Sequence, residues 1–367
     1  MIETIDFLNL RAIGLQPSLI NQALALPTEA GDQLMRVIEV QRDRLTLDDG
    51  LHRHAGQLWP SLRLALQAQD DALVVGDWVA VRRAGAAPCW VTARVPPLNR
   101  VLRRDSSGQR QALVSNVDTA LLVMTCGHDF NLRRLDRYLA LVRLSGVAPV
   151  VVLTQADLHR DPESRVAAVQ AHLGGAAVPV LALNACSAEP LERLGPWLSA
   201  GQTLVLLGSS GAGKSTLTNA LTGATGCAGD PTSAFSGQLT GAAREDDGRG
   251  RHTTTARSMH RCRLGACIID TPGLRGLQLD ADERQLAQAF DDVSGLAEQC
   301  RFRNCQHEEE PGCAVRGAVS AERLLSYRKL LREAQRHEMT VLDRRVQLAE
   351  WKARSRHAKE VAKVRRG

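Results

Sequence analysis

Short runs in which apolar and polar residues alternate occupy the first part of the chain and predict an all-β region. Alternation of this kind places one face of each strand in a core and the other in solvent. Turn-forming residues such as Asp48-Asp49-Gly50 separate the runs. About five strands at this spacing are typical of a small barrel such as an OB fold, although a β-sandwich fits the pattern as well. The predicted strands are residues 34–40, 44–47, 62–66, 73–82 and 90–95.

Continuous apolar runs begin near residue 112 and predict a sheet that is buried on both faces. Parallel strands covered by helices on both sides have no solvent face, so their apolar residues do not alternate. Residues 132–144, between the first two runs, have the apolar spacing of a helix. We therefore predict a doubly wound α/β domain. Its strands are predicted at 119–125, 147–153, 178–183, 203–207 and 267–269.

Changes of pattern divide the chain into three predicted domains. Pro96-Pro97 ends the β region, and we interpret the basic segment 100–111 as a linker. Beyond residue 279 the spacing of the apolar residues is helical, with one interruption. The predicted domains are an N-terminal extension with an OB-like barrel (1–110), the α/β domain (111–277) and a helical domain with a basic tail (278–367).

Basic residues concentrate at the end of the chain. The 367 residues include 46 Lys and Arg against 40 Asp and Glu, and residues 323–367 hold 14 of the basic and 5 of the acidic ones. All of the positive excess therefore lies in this tail. It favours a polyanionic partner, nucleic acid before a membrane, although a solvated charged helix explains it as well. Since only 3% of the residues are aromatic, we expect phosphate contacts to dominate over base stacking.

The sequence argues against a secreted or membrane protein. It contains no apolar run of about 18 residues or more, and Glu3 and Asp6 occur near the start without a basic segment. We therefore expect no transmembrane span, no secretory signal and a cytoplasmic location. The nine cysteines are then expected to form no disulfide framework. No segment indicates a dedicated dimer interface, so we expect a monomer.

The segment after the predicted strand 203–207 has the form G-x-x-x-x-G-K-S, and a helical pattern follows it. This setting predicts a P-loop, in which main-chain N–H groups and a helix N-terminus surround a phosphate. The alternative is a chance glycine-rich turn. Lys214 would place its charge on the β- and γ-phosphates and so serve catalysis, and Ser215 would offer its hydroxyl to Mg²⁺. The predicted loop comprises Gly208, Ser209, Ser210, Gly211, Ala212, Gly213, Lys214, Ser215 and Thr216.

Two later segments predict the rest of the magnesium site. Asp270 follows the strand 267–269, where a Walker-B-type aspartate belongs, and would reach Mg²⁺ through water. The run 252–255 supplies a threonine that completes the Mg²⁺ shell, and the N–H of Gly273 would approach the γ-phosphate. The predicted magnesium ligands are Ser215, Thr254, Thr255 and Asp270.

The segment after the strand 147–153 predicts which purine binds. A carboxylate at Asp157 can accept hydrogen bonds from the guanine N1–H and amino group together, and adenine offers no such pair of donors. This favours GTP over ATP, although Asp157 could instead be the N-cap of a helix. A loop after the strand 178–183 would present a main-chain N–H to the guanine oxygen. The residues predicted to surround the base are Thr154, Gln155, Ala156, Asp157, Asn184 and Ala185.

A cluster of thiols and one imidazole predicts a metal site in the helical region. Three Cys and one His lie within 14 residues, in the pattern C-x₄-C-x-H-x₅-C. Four N and S ligands suit a closed, tetrahedral, structural Zn²⁺ site. Reduced cysteines in a core are the alternative. The predicted ligands are Cys300, Cys305, His307 and Cys313.

The order of the motifs is unusual, because the base-reading loops precede the phosphate loop. This order indicates a circularly permuted domain, which a doubly wound sheet tolerates since its termini lie close together. The permuted order, the run Gly250-Arg251-His252-Thr253-Thr254-Thr255, the run Asp270-Thr271-Pro272-Gly273 and the run Asn116-Val117-Asp118 resemble the small ribosomal subunit biogenesis GTPases, the RsgA family. The resemblance covers essentially the whole chain.

The resemblance implies an N-terminal OB domain, a permuted GTPase domain and a zinc-bearing C-terminal domain. It also implies hydrolysis of GTP to GDP and phosphate, stimulated by the 30S ribosomal subunit late in its maturation, with 16S rRNA as a contact. One residue departs from the family pattern: the base-reading segment usually has Lys where this chain has Gln155. We expect the preference for GTP to persist through Asp157, with weaker nucleotide affinity.

The residue that activates water is less evident. Many GTPases have Gln just after the second-switch glycine, but this chain has Leu274. His252 is the internal candidate, as the resemblance also implies, because a neutral imidazole can orient or deprotonate water. Alternatively, His252 contacts only RNA or solvent.

Two other functions compete with a ribosome-stimulated GTPase. A metabolic P-loop kinase would use the same phosphate loop, although Asp157 argues against it. A GTP-binding, RNA-associated module with little or no hydrolysis is compatible with Gln155 and Leu274.

Overall fold

The computed structural model describes residues 5–41, 44–83, 88–105, 108–174, 176–223, 257–272 and 277–338. Two short helices that the sequence analysis did not predict come first, α1 (Phe7–Arg11) and α2 (Pro17–Leu24). The Asp6 side chain caps α1 by accepting from the Asn9 N–H at 3.2 Å. Both helices contribute buried apolar side chains, including Leu10 and Leu19, to the main core.

The N-terminal region forms a five-stranded β-barrel, as predicted, and contains one helix that was not predicted. The sheet runs β1-β2-β3-β5-β4, and β4 pairs back onto β1. This closure identifies a barrel and removes the sandwich alternative. The elements are β1 (Gln33–Gln41), β2 (Arg44–Asp48), β3 (Arg53–Leu58), α3 (Pro60–Ala68), β4 (Trp78–Arg82) and β5 (Cys89–Arg94).

The strand predicted at 62–66 is wrong, because this segment lies within α3. Leu62, Leu64 and Leu66 alternate like strand residues. However, Leu66 is buried and Leu62 packs on the same core, whereas Leu64 is 67% exposed. An i, i+4 pair on one face is the helical pattern, and Pro60 at the first turn favours a helix start. The strand β3 was not predicted at all.

The basic segment 100–111 is also not a linker. It contains β6 (Arg100–Arg104) and the start of β7 (Arg110–Ser115), which pair antiparallel. A short strand, β14 (Gln278–Leu279), completes a three-stranded sheet in the order β14-β6-β7. This sheet joins segments on both sides of the predicted boundaries at residues 110 and 277. Val101 of this sheet is fully buried, and the arginines Arg100 and Arg104 pair with Asp71 and Asp280, so the basic composition belongs to ordered strands.

The central region is the predicted α/β sheet with helices on both faces. Its parallel strands run β10-β9-β8-β11-β13, and β12 follows antiparallel at the end. The strands are β8 (Thr119–Thr125), β9 (Ala148–Thr154), β10 (Val180–Ala182), β11 (Thr203–Gly208), β12 (Ser258–Arg261) and β13 (Cys267–Asp270). The helices are α4 (Leu132–Leu144), α5 (Pro162–His172), α6 (Glu189–Arg193) and α7 (Lys214–Thr222).

The barrel and the α/β sheet are joined through β12 and a buried arginine. Strand β12 pairs with β13 on one side and with β1 on the other, so eleven strands form one sheet. The wholly buried guanidinium of Arg36 donates to the Thr203 hydroxyl at 2.9 Å and to the Asn116 carbonyl at 3.0 Å. It also lies 5.4 Å from the Trp78 ring.

The C-terminal region is helical, as the apolar spacing predicted. Its helices are α8 (Glu283–Ala289), α9 (Asp291–Ala297) and α10 (Ala321–Glu338). Helix α10 packs on α4, where the buried Arg323 bonds to Asp136 at 2.7 Å and to Asp292 at 2.5 Å. Asp136 also bonds to His172 at 2.9 Å. The rest of the basic tail lies outside the described residues, among which no helix is long and apolar enough to span a bilayer.

Candidate nucleotide and metal sites

The predicted phosphate loop lies between β11 and α7, with two glycines where the backbone requires them. Gly208 ends β11 beside Val123 of β8, and a Cβ there would overlap the Val123 carbonyl oxygen. Gly213 precedes α7 with φ +85°, in the left-handed region that favours glycine. Helix α7 therefore begins directly at the loop, which places a helix N-terminus where phosphate binding requires one.

Lys214 folds back over the loop. Its side chain is buried, and the ammonium donates to the carbonyl oxygens of Gly208 at 3.1 Å and Ser209 at 2.7 Å. Burial lowers the pKa of Lys214, and the negative charges of Asp270 and Asp129 oppose this shift. The ammonium is thus held by two loop carbonyls, and the charges of both carboxylates favour its protonated form.

Two oxygen-bearing side chains meet beside Lys214. The Ser215 hydroxyl donates to the Asp270 carboxylate at 3.2 Å, and Asp270 is wholly buried at the end of β13. Thr271 is fixed next to it by a 2.6 Å hydrogen bond to the Leu206 carbonyl. A hydroxyl and a carboxylate are hard ligands of the kind that Mg²⁺ accepts. The other predicted residues, His252, Thr253, Thr254, Thr255 and Gly273, lie outside the described residues.

The segment predicted to read the base contacts the phosphate loop directly. Thr154 ends β9, and its hydroxyl donates to the Ala212 carbonyl at 2.8 Å. Gln155 follows with φ +58°, which turns the chain out of the strand. Asp157 lies exposed in the 3₁₀ turn Ala156–Leu158.

The N-cap alternative for Asp157 does not hold for α5. The side chain that caps α5 is Asp161, which accepts from the Ser164 N–H at 3.1 Å. Asp157 makes no hydrogen bond to the described residues through its carboxylate. Its exposed carboxylate is therefore open to a ligand.

The second predicted loop lies beside the first. The Ala156 N–H donates to the Leu183 carbonyl at 3.4 Å, which brings the two loops together. The Asn184 N–H donates to Glu189 at 2.9 Å, so this donor is used within the loop. The Ala185 N–H makes no hydrogen bond within the part of the chain that the structure describes.

One acidic residue near the phosphate loop was not predicted. Asp129 lies between β8 and α4 and accepts a 2.5 Å hydrogen bond from the Ser209 hydroxyl. No motif contains it. Its position in the sequence could have indicated it, because Asp129 follows a buried parallel strand. Ligands of α/β proteins bind at the carboxyl ends of such strands.

The four predicted metal ligands come together in the coil between α9 and α10. The ligand atoms of Cys300, Cys305, His307 and Cys313 all lie within 4.8 Å of one another. The Cys300 and Cys313 sulfurs are 4.0 Å apart, and each lies 3.6 or 3.5 Å from His307 Nδ1. Tetrahedral bonds of about 2.3 Å to sulfur and 2.0 Å to nitrogen require about these separations. The donor set and its geometry therefore fit Zn²⁺.

The surrounding chain holds these ligands in position. The N–H groups of Ala314 and Arg316 each approach a ligand sulfur at 3.4 Å, and Gly312 turns the chain with φ +77°. Burial and the nearby Arg328 lower the pKa of His307. A neutral imidazole is the form that binds a metal.

Comparisons with known proteins agree with this architecture. The RsgA GTPase family model matches residues 95–280. The small ribosomal subunit biogenesis GTPase RsgA 2 of Vibrio vulnificus is 37% identical over 344 residues, which cover 92% of this chain and 91% of that protein. RsgA of Mesorhizobium japonicum is 42% identical over 310 residues, covering 82% and 83%. RsgA of Xylella fastidiosa is 44% identical over 270 residues, covering 71% and 73%.

Two solved structures share the fold. YjeQ from Thermotoga maritima has a TM-score of 0.60 at 22% identity, over 83% of this chain and 99% of that one. YloQ, described as a circularly permuted GTPase, has a TM-score of 0.58 at 21% identity, over 86% and 99%. The molecule is thus a circularly permuted GTPase, an enzyme that hydrolyses GTP. The chain belongs to the RsgA GTPase family.

Proposed function

We propose that this GTPase binds Mg²⁺ and GTP on one continuous site and hydrolyses GTP to GDP and phosphate during late maturation of the small ribosomal subunit. The single continuous site is supported by the hydrogen bond from the Thr154 hydroxyl to the Ala212 carbonyl. It fixes the end of strand β9, which leads into the base-reading segment, directly to the phosphate loop.

Within this site each residue has one task. The N–H groups of the loop 208–216 would surround the phosphates, and the Lys214 ammonium would exchange its carbonyl partners for phosphate oxygens. Asp157 would accept from the guanine edge, with the Ala185 N–H on the guanine oxygen. Ser215 and Asp270 would hold Mg²⁺, joined by Thr254 or Thr255. Bound Mg²⁺ neutralises charge that develops on the phosphates.

His252 is proposed as the residue that orients or deprotonates the attacking water. It has the chemistry for this step as a neutral imidazole, and Leu274 has no polar group. Since His252 belongs to the segment proposed as the first switch, a partner that orders this segment would speed hydrolysis by preorganising the imidazole.

The proposed partner is the 30S subunit, with 16S rRNA as the contact. The relatives carry the small ribosomal subunit in their names. A barrel, a nucleotide site and a tail with 14 basic residues suit a large polyanion. The Cys/His cluster is proposed to bind one structural Zn²⁺, and the enzyme is proposed to act as a monomer.

GTP turnover with and without purified 30S particles tests the proposal. We expect slow turnover alone and strong stimulation by the particle, with His252→Ala losing the stimulation while retaining GTP binding. Turnover that 30S particles leave unchanged would contradict the proposed partner. A His252→Ala variant that responds fully would remove this residue from the mechanism.

A further inference from the structure

Asp129 touches the phosphate loop from a neighbouring strand. Its carboxylate accepts from the Ser209 hydroxyl at 2.5 Å, across 80 positions of sequence. Strand β8, which leads to Asp129, is the parallel neighbour of β11, which leads to Ser209. The loops after both strands therefore lie at the same edge of the sheet, where α/β proteins bind their ligands.

The carboxylate of Asp129 is held from its other side. Its second oxygen accepts from Arg134 at 2.6 Å, Arg134 also donates to the Asp129 carbonyl, and the Asp129 N–H donates to the Thr125 hydroxyl at 3.3 Å. Arg134 lies in the first turn of α4, which Asn131 caps. The orientation of the carboxylate is thus set by β8 and α4, and its side chain is only 13% exposed.

Ser209 connects this carboxylate to Lys214. The Ser209 side chain donates to Asp129, and its carbonyl accepts from the Lys214 ammonium at 2.7 Å. Asp129 therefore constrains the residue that holds the catalytic lysine. The carboxylate is paired with the Arg134 guanidinium, which reduces its repulsion of a bound polyphosphate.

We propose that Asp129 is a positioning residue for nucleotide binding. Through Ser209 it keeps the first turn of the phosphate loop, and with it Lys214, in the geometry that receives the phosphates. This inference rests on the proposed nucleotide site at 208–216. A loop already held in shape loses less conformational entropy when the ligand binds.

Asp129→Ala should weaken the binding of fluorescent GDP and GTP analogues by the same factor, about tenfold for one charge-assisted hydrogen bond. Because preorganisation of the loop affects the ground state and the transition state alike, KM should rise while kcat at saturating GTP stays unchanged. Asp129→Asn keeps an acceptor for the serine hydroxyl and should retain most of the affinity.

Ser209→Ala removes the same hydrogen bond from the loop side and should cause a similar loss. The double variant should then bind no more weakly than either single variant, since both changes remove one interaction. Asp161→Ala is the matched control, because this carboxylate also accepts a hydrogen bond, but from the Ser164 N–H of α5 and not from the phosphate loop. Lys214→Met tests the nucleotide site itself: if its nucleotide affinity equals that of the wild type, the proposed site fails whatever Asp129 does.

Two results would overturn the role of Asp129. One is binding by Asp129→Ala within about twofold of the wild type. The other is a double variant whose loss of affinity equals the product of the two single losses, as independent sites would give. A merely structural role would lower the melting temperature and the fraction of active protein, with the affinity of that fraction unchanged. If Asp129→Ala does not fold, Ser209→Ala decides alone, because it leaves the Asp129–Arg134 pair in place.

Discussion

The phosphate loop and the Cys/His cluster are held in place in different ways. The loop connects a strand and a helix of a sheet covered on both faces, and its polar groups bond to protein: Lys214 to loop carbonyls, Ser209 to Asp129. The cluster lies in coil, and its ligand atoms face one another within 4.8 Å. Backbone N–H groups donate to its sulfurs, as those of Ala314 and Arg316 do at 3.4 Å.

The phosphate loop therefore owes its shape to the surrounding fold, whereas we expect the Cys/His cluster to depend on a bound metal for its shape. The phosphate loop is bonded to residues that follow or end other strands of the sheet, Asp129 after β8 and Thr154 at the end of β9. Thiolates and an imidazole at such short separations are stable together when a cation joins them. We therefore expect ligand removal to have opposite consequences at the two sites.

The largest effect is expected from loss of the metal. Structural Zn²⁺ contributes about 10–16 kcal/mol in small zinc-binding peptides, so Cys305→Ser or a strong chelator should unfold the coil between α9 and α10. Metal analysis should give about one Zn²⁺ per chain before and little after, and limited proteolysis should cut near residues 300–313. Nucleotide binding should persist. Cys89→Ala, a barrel variant, should retain the metal; equal zinc loss in both variants would contradict the assigned ligands.

Removal of the buried ammonium should act on binding and spare the fold. Lys214→Met should weaken nucleotide binding by at least about 30-fold, the lower range for loss of a buried charged partner. Its melting temperature without nucleotide should not fall, because burial of an ammonium opposes folding. Titration with a fluorescent GDP analogue and a thermal melt measure the two quantities. A large drop in melting temperature would show that the loop depends on Lys214 for its shape.

Base selection should change by a smaller factor. Asp157→Ala should reduce GTP affinity by about 10–100-fold, the value of hydrogen bonds to one carboxylate, and leave ATP affinity unchanged. Competition of GTP and ATP for a fluorescent analogue measures this. Glu163→Ala removes an exposed carboxylate of α5 and should leave the preference intact. If Asp157→Ala still selects GTP, another residue reads the base.

The smallest effect is expected at Gln155. Its backbone lies in the left-handed region, which Gln and Lys tolerate equally, so Gln155→Lys should not strain the loop. A lysine there should strengthen GTP binding by about two- to fivefold, the range of an exposed cation–π contact. Isothermal titration at constant salt resolves this. Gln155→Met, which has a similar length without the charge, should bind as the wild type does.

Elements that depend on local pattern were predicted well. The strand at 119–125 and the helix at 132–144 have the bounds that the structure gives to β8 and α4. Because β8 is buried on both faces, its sequence is an uninterrupted apolar run, which is not typical of turns. By contrast, β3 has the sequence RHAGQL, without apolar alternation, because only Gly56 of this strand is buried.

For the sites, the limit was distance along the chain. The phosphate loop and the Cys/His cluster are short motifs, so their residues could be named from spacing alone. The contacts of Ser209 with Asp129 and of Thr154 with Ala212 join residues 80 and 58 positions apart. These residues come together only because β8 pairs with β11 on one side and with β9 on the other. The order of strands in the sheet cannot be derived from the spacing of residues in a motif.

Strand β12 connects the barrel directly to the strand that ends at Asp270. Ser258 lies opposite Asp270 in one neighbouring strand and opposite Glu39 in the other, and Arg261 bonds to Asp48 of the barrel at 3.0 Å. Ladder hydrogen bonds fix the spacing between adjacent strands, so a tilt of β12 tilts β1 with it. The orientation of the barrel is therefore coupled to that of the α/β sheet through a shared strand, and not through a flexible hinge between two separate domains.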